Sequence, residues 1–124
     1  MKFGLSAETI AKIVGILAEH PEVEKAIIYG SRAMETYKNG SDIDLTLTGN
    51  ISFEDMLQMN TEIDDLMLPY SVDISCLETL CNADLIEHIH RVGQTLYEKE
   101  KMPPLYGSAD SIAVPQTGIK RYER

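Results

Sequence analysis

The amino-acid sequence predicts an α/β (α+β) domain in which helices pack on a small mixed sheet of three to four strands. Two patterns predict it: apolar residues recurring at helical spacing in separate stretches, and runs of strict apolar–polar alternation set between them. The length suits one such domain, since 124 residues with 44% hydrophobic and 25% charged side chains supply a single modest core. Aromatic residues make up 6% and Trp is absent, so that core has to be built from Ile, Leu, Val, Met and Ala.

The first element is a helix over residues 7–19, with Ser6 as its N-cap and Ile10, Ile13, Val14 and Leu17 on one face, closed by His20-Pro21. Val23 to Tyr29 is an apolar, β-rich run that Gly30 stops. In residues 42–48, Ile43, Leu45 and Leu47 alternate with Asp42, Asp44, Thr46 and Thr48, the mark of a strand with one buried face. Ser52 and Asp55 have nearly the spacing and chemistry of a capping box. They precede Phe53, Met56, Leu57, Ile63 and Met67, so a long helix is expected to run until just before Pro69. Val72, Ile74 and Cys76 alternate with Asp73 and Ser75 in a third strand. Asn82 caps a last helix carrying Leu85, Ile86 and Ile89; Gly93 ends it, ahead of a short apolar run from Thr95 to Tyr97. Beyond Lys101, Pro103, Pro104, Gly107, Ser108, Pro115 and Gly118 break all periodicity. The expected division is therefore a domain at 1–101 and a C-terminal extension at 102–124, the latter a surface-packed or mobile segment.

Composition excludes several function classes. No stretch reaches the roughly 18 uninterrupted apolar residues of a membrane span, and the N-terminal residues lack a basic-then-apolar leader pattern, so a cytoplasmic protein is expected. Cys76 and Cys81 have no second Cys/His pair to complete a zinc site and read as reduced packing residues. His88 and His90 are two apart in a helix and cannot share a face; they and His20 read as surface or packing residues. Net charge is −9, and between Lys38 and Arg91 there is no Lys or Arg while eleven acids occur. Such a field repels phosphate backbones and favours metal ions and basic protein partners. Glu54, Asp55, Glu62, Asp64 and Asp65 among these acids read as solvated helix faces.

The chemistry concentrates at Gly30-Ser31-Arg32-Ala33, at the end of the first strand, and at Ser41-Asp42-Ile43-Asp44, at the start of the second. Asp42 and Asp44, two apart in an alternating strand, project from one face, and carboxylates held that close call for a hard divalent cation such as Mg²⁺. Asp73 has the parity of Ser75, opposite to Val72 and Ile74, so a third carboxylate converges on the pair. At a strand end, Gly30 lets the backbone approach a phosphate closely, Ser31 adds a hydroxyl donor, and a short helix after them would present its positive end. Arg32 is placed either to touch phosphate or to brace the loop.

These residues, in this order, resemble the nucleotidyltransferase superfamily with a DNA polymerase β palm: a Gly-Ser pair, about ten residues, Asp-x-Asp, and a distant acid. The likeness is strongest to the minimal nucleotidyltransferases encoded beside HEPN-domain proteins. It runs from Ser6 to about Tyr97 and includes Gly40-Ser41-Asp42-Ile43-Asp44-Leu45, Leu68-Pro69 before Val72-Asp73-Ile74, and Gly93-Gln94-Thr95-Leu96-Tyr97. Family members commonly continue the Gly-Ser-Arg-Ala run with Arg-Gly, where this chain has Met34-Glu35. The resemblance implies AMP transfer from ATP, or NMP transfer from another NTP, to a hydroxyl. Asp42, Asp44 and Asp73 would be the catalytic residues and would hold two Mg²⁺ ions, with Asp73 as general base, while Gly30, Ser31, Arg32 and Ser41 would contact the nucleotide. It further implies a HEPN-type ribonuclease toxin as partner, with this chain as antitoxin. Without the resemblance, an acidic binding module that neutralises a basic partner by occlusion stays open, as does a structural domain with an incidental ion site.

Overall fold

The alternating strands and the helical stripes meet along one face of a four-stranded sheet. The computed structural model describes residues 2–99. Its elements are α1 (Ala7–Ala18), β1 (Val23–Tyr29), α2 (Ser31–Met34), β2 (Ile43–Gly49), α3 (Phe53–Asp64), β3 (Val72–Cys76), a 3₁₀ turn at Leu77–Thr79, α4 (Ala83–Val92) and β4 (Gln94–Glu98). The expected boundary at 101/102 and the extension at 102–124 lie outside the described residues.

The strands lie in the order β3-β2-β1-β4. β1 pairs antiparallel with both β2 and β4, and β2 pairs parallel with β3. A parallel pair needs a crossover, and α3 supplies it. The final apolar run, Thr95 to Tyr97, thus joins the sheet as the middle of its fourth strand.

Leu45 pairs with Ile28 on one side and Ile74 on the other, so one apolar row crosses three strands. Together with Ile43, Leu47, Ala26 and Val23 it meets Ile13 and Leu17 of α1 and Met59 and Ile63 of α3, nearly all of them fully buried. Burying a side chain of this size stabilises by about 1.5–3 kcal/mol, which is why α1 and α3 hold to this face. The residues between these apolar ones face the other way. Tyr29 pairs with Asp44 and Asp44 with Asp73, while Thr46 lies between Ile27 and Ser75. α4 covers the β1 end of this second face, with Gly93 against Ile27 and His88 against Tyr29. The acids on β2 and β3 are left outside that cover.

Local signals hold where a side chain can satisfy the backbone nearby. Ser6 accepts from the Thr9 N–H, Asn82 from the Leu85 N–H, and Ser52 and Asp55 close a reciprocal capping box. The end of α3 differs from expectation. It stops at Asp64, and Met67 adopts a left-handed φ of 56° that turns Leu66 and Leu68 back against the core before Pro69. Gly93 does end α4, but in extended conformation (φ −62°, ψ 143°) rather than as a left-handed cap, because the chain passes directly into β4. Among the described residues no helix is long and apolar enough to cross a membrane, and Cys76 and Cys81 are both free.

Glu62 and His20 also depart from their expected roles. The His20 ring donates from Nδ1 to Glu22 at 3.0 Å and from Nε2 to Glu62 at 2.8 Å, tying the end of α1 to α3. Both nitrogens can donate only in the cation. Desolvation opposes that charge, but hydrogen bonds to Glu62 and Glu22 outweigh it and raise the His20 pKa. A pKa raised by folding gives stability that is present in full below the unfolded value, about 6.5, and lost as pH rises through the folded value. Replacing His20 by Ala is expected to cost about 1 kcal/mol at pH 6 and less at pH 8.5. Urea unfolding at the two pH values measures the difference.

Candidate active site

At one end of the sheet the chain leaves β1, enters β2 and enters β3, and these three crossing points carry the motif residues. Gly30 follows β1 with φ 75° and ψ −155°, a backbone region open essentially only to glycine. A Cβ there would stand 2.5 Å from Oδ2 of Asp44, so the absence of a side chain is also what admits the Asp44 carboxylate. Ser31 then opens the short helix α2, whose Ala33 and Met34 N–H groups both donate to the Gly30 carbonyl.

Parallel pairing sets Asp44 directly beside Asp73. Asp44 is half-buried and Asp73 exposed. Burial, followed by the negative charges of Asp73 and then Asp42, pushes the Asp44 pKa up. Tyr29, opposite Asp44 on β1, has its hydroxyl pKa pushed up by burial and by the negative charges of Asp44 and Asp73, with the Ser75 hydroxyl acting in the opposite sense. The Ser75 hydroxyl donates to the fully buried Thr46 hydroxyl at 3.0 Å.

Asp42 immediately precedes Ile43, the first residue of β2, and is exposed. Asp44 and Asp73 are brought together and Asp42 lies within electrostatic reach. Among the described residues no three His, Cys, Asp or Glu side chains are close enough to form a metal cluster. The donor chemistry nevertheless fits a hard cation: these are carboxylates with uncompensated charge, in a chain region with no Lys or Arg from 39 to 90.

Three of the expected nucleotide contacts are occupied by other work. Arg32 is only 1% exposed, and its guanidinium donates to the Ser41 carbonyl (3.1 and 2.9 Å) and the Phe3 carbonyl (2.9 Å). It also lies over the rings of Tyr37 and Tyr70, at 5.2 and 4.7 Å from their centroids. Of its two readings, the brace is the one the geometry shows. Ser41 is held in the same brace: its carbonyl serves Arg32 and its hydroxyl accepts from the Lys38 N–H at 2.8 Å. The Gly30 N–H, expected to face phosphate, donates to Nε2 of His88 at 3.2 Å. Glu35 caps α2 in the left-handed region (φ 62°, ψ 28°).

The fold and the arrangement of acids define a nucleotidyltransferase-type palm. Residues 11–102 match the family model described as polymerase beta, nucleotidyltransferase, and the chain belongs to that family. Solved structures share the fold. One is a chain of a toxin–antitoxin crystal structure with AMP-PNP (18% identity, 73% of this chain and 74% of that chain, TM-score 0.60). Another belongs to the tri-AMPylated Shewanella oneidensis HEPN toxin in complex with MNT antitoxin (16%, 74% and 71%, TM-score 0.56). A third belongs to an MntA–HepT toxin–antitoxin complex (15%, 76% and 74%, TM-score 0.57). No curated protein matches in sequence.

A carboxylate whose pKa is raised by folding costs stability when ionised, and that cost disappears as pH falls below the unfolded value. Asp44→Asn is therefore expected to raise the melting temperature of the metal-free protein by a few degrees at pH 7, with the gain shrinking towards pH 3.5. Scanning calorimetry across that range tests it. Glu35→Gly removes a left-handed side chain and is expected to stabilise by up to about 1 kcal/mol, read from denaturant midpoints.

Proposed function

We propose that this chain is a Mg²⁺-dependent nucleotidyltransferase that moves AMP from ATP to a hydroxyl of a partner protein, and that the partner is a HEPN-type ribonuclease toxin. The observation that carries this reading is the placement of Asp44 beside Asp73 on the uncovered face, next to the Gly30–Ser31 turn, in a polymerase beta family chain. The relatives' AMP-PNP and AMPylated HEPN toxin support the choice of nucleotide and partner.

Asp42, Asp44 and Asp73 would hold two Mg²⁺ ions, which supply neutralisation of triphosphate charge and activation of the acceptor hydroxyl. The Gly30–Ser31 turn, pinned against Asp44, offers the Ser31 hydroxyl to the triphosphate. Asp73, exposed on the outermost strand, faces the side from which a large acceptor arrives and takes the hydroxyl proton. A bond forms from the acceptor oxygen to the α-phosphorus, and the bond to the bridging oxygen breaks as pyrophosphate leaves. Arg32 and Ser41 act by fixing the entry to β2, not by touching nucleotide.

The described residues build no separate acceptor domain, which suits an acceptor that is itself a folded protein. An acidic chain of net charge −9 meets a basic, RNA-attracting cleft with complementary charge. AMP added to a hydroxyl at that cleft brings negative charge and bulk where RNA phosphates bind. Residues 1–101 would be the catalytic domain and 102–124 an extension to it, acting in the cytoplasm where ATP and the toxin meet. The same acidic stretch favours a second reading, inhibition by occlusion without chemistry.

Co-expression with the product of the neighbouring gene, followed by intact-mass measurement, separates the two. The expected result is a partner heavier by one or more AMP units with the wild-type chain and unmodified with Asp42→Asn or Asp44→Asn. A partner inhibited equally by the Asn variants and never modified establishes occlusion instead.

A further inference from the structure

The nucleotide-handling turn is held from behind by a residue that the mechanism above does not use. His88 sits on α4, 58 positions from Gly30, and its Nε2 accepts the Gly30 N–H at 3.2 Å. Its ring stands edge-on to Tyr29, with centroids 6.2 Å apart and planes at 81°. An accepting Nε2 carries no proton, so the bond selects the neutral tautomer protonated at Nδ1. From the same side, Gln94 of β4 donates from Nε2 to the Ala33 carbonyl at 3.2 Å, holding the far end of α2. Gly30 occupies a backbone region with little intrinsic preference of its own, and an unanchored glycine would sample several others.

We propose that His88 is a positioning residue for nucleotide binding. By taking the Gly30 N–H it holds the turn in the single conformation that both clears the Asp44 carboxylate and presents Ser31 to the triphosphate. The proposal rests on the nucleotidyl-transfer reading of this site. It differs from a packing role in one respect: what matters is an unprotonated acceptor at the position of Nε2, not the volume of the ring.

Two variants of the full chain separate these roles. His88→Gln keeps an acceptor at the end of a side chain of similar reach, and His88→Leu keeps apolar volume without one. Binding of AMP-PNP with Mg²⁺, measured by calorimetry, is expected to weaken about tenfold in His88→Leu, the worth of one hydrogen bond, and to stay within about threefold of wild type in His88→Gln. In transfer assays the Leu variant should raise KM for ATP more than it lowers kcat. Equal losses in both variants, or unchanged affinity in the Leu variant at an unchanged melting temperature, would overturn the proposal. A nitrogen-15 NMR spectrum of the histidine rings gives a readout independent of nucleotide. A pyridine-like Nε2 at His88 at pH 7.5 is expected, and a protonated Nε2 sinks the assignment even if transfer is confirmed. Wild-type protein that binds no AMP-PNP overturns both this inference and the nucleotidyl-transfer reading, whereas loss of binding in Ser31→Ala with His88→Leu unaffected overturns this inference alone.

Discussion

A guanidinium buried without a carboxylate partner among the described residues organises the acid-bearing end of the sheet. Arg32 satisfies its charge with two backbone carbonyls and two aromatic faces, drawn from three stretches of chain: the N-terminal turn at Phe3, the loop at Tyr37 and Ser41, and the approach to β3 at Tyr70. An isolated buried charge is too costly to leave unsatisfied, so these stretches are obliged to close around it. Ser41 leads directly to Asp42 and Asp44, and Tyr70 stands three residues before Asp73. The entry of both acid-bearing strands into the sheet therefore depends on one side chain from α2. A carboxylate in place of those carbonyls would have neutralised Arg32 more simply, but at the expense of adding a further negative charge beside acids that already repel.

The acid face shows the opposite economy. Asp44 and Asp73 are held side by side by the backbone ladder, with their repulsion uncompensated by any protein cation from residues 39 to 90. Neutralisation is left to whatever binds. This makes the site poor in the free protein and strong when charge of the right sign arrives, the behaviour expected of a centre whose work is to stabilise charge on a reacting phosphate. The His20 node at the other face, where a cation is supplied between Glu22 and Glu62, shows that the chain does pair its acids where only stability is at stake.

Much of the fold was legible because its signals are local. Alternation in 42–48 and 72–76, the caps at Ser6, Ser52 and Asn82, and the Gly30 stop each depend on neighbours within a few residues, and the structure follows them. The facing of Asp44 and Asp73 was legible too, since strand parity alone puts them on one side. What escaped the sequence depends on contacts between distant segments. The bond between His88 and Gly30, the pairing of His20 with Glu62 and the binding of Arg32 to Phe3 all require knowing how helices dock on the sheet. Glu35 adopts a left-handed conformation that its residue type does not announce.

The parallel pairing of β2 with β3 has a consequence for how the chain assembles. β1 and β2 are antiparallel and consecutive, but β3 reaches its place only after the chain has traversed α3, so the Asp44–Asp73 contact is 29 residues long in sequence. Like charges meet across the edge of the sheet only when that crossover closes. The electrostatic opposition is absent while Ile28 and Leu45 pair across β1 and β2, and it arises together with the Leu45–Ile74 contact when β3 docks. An acid pair that opposes its own formation is tolerable in this topology because the opposition falls on a strand whose removal leaves the remaining three paired.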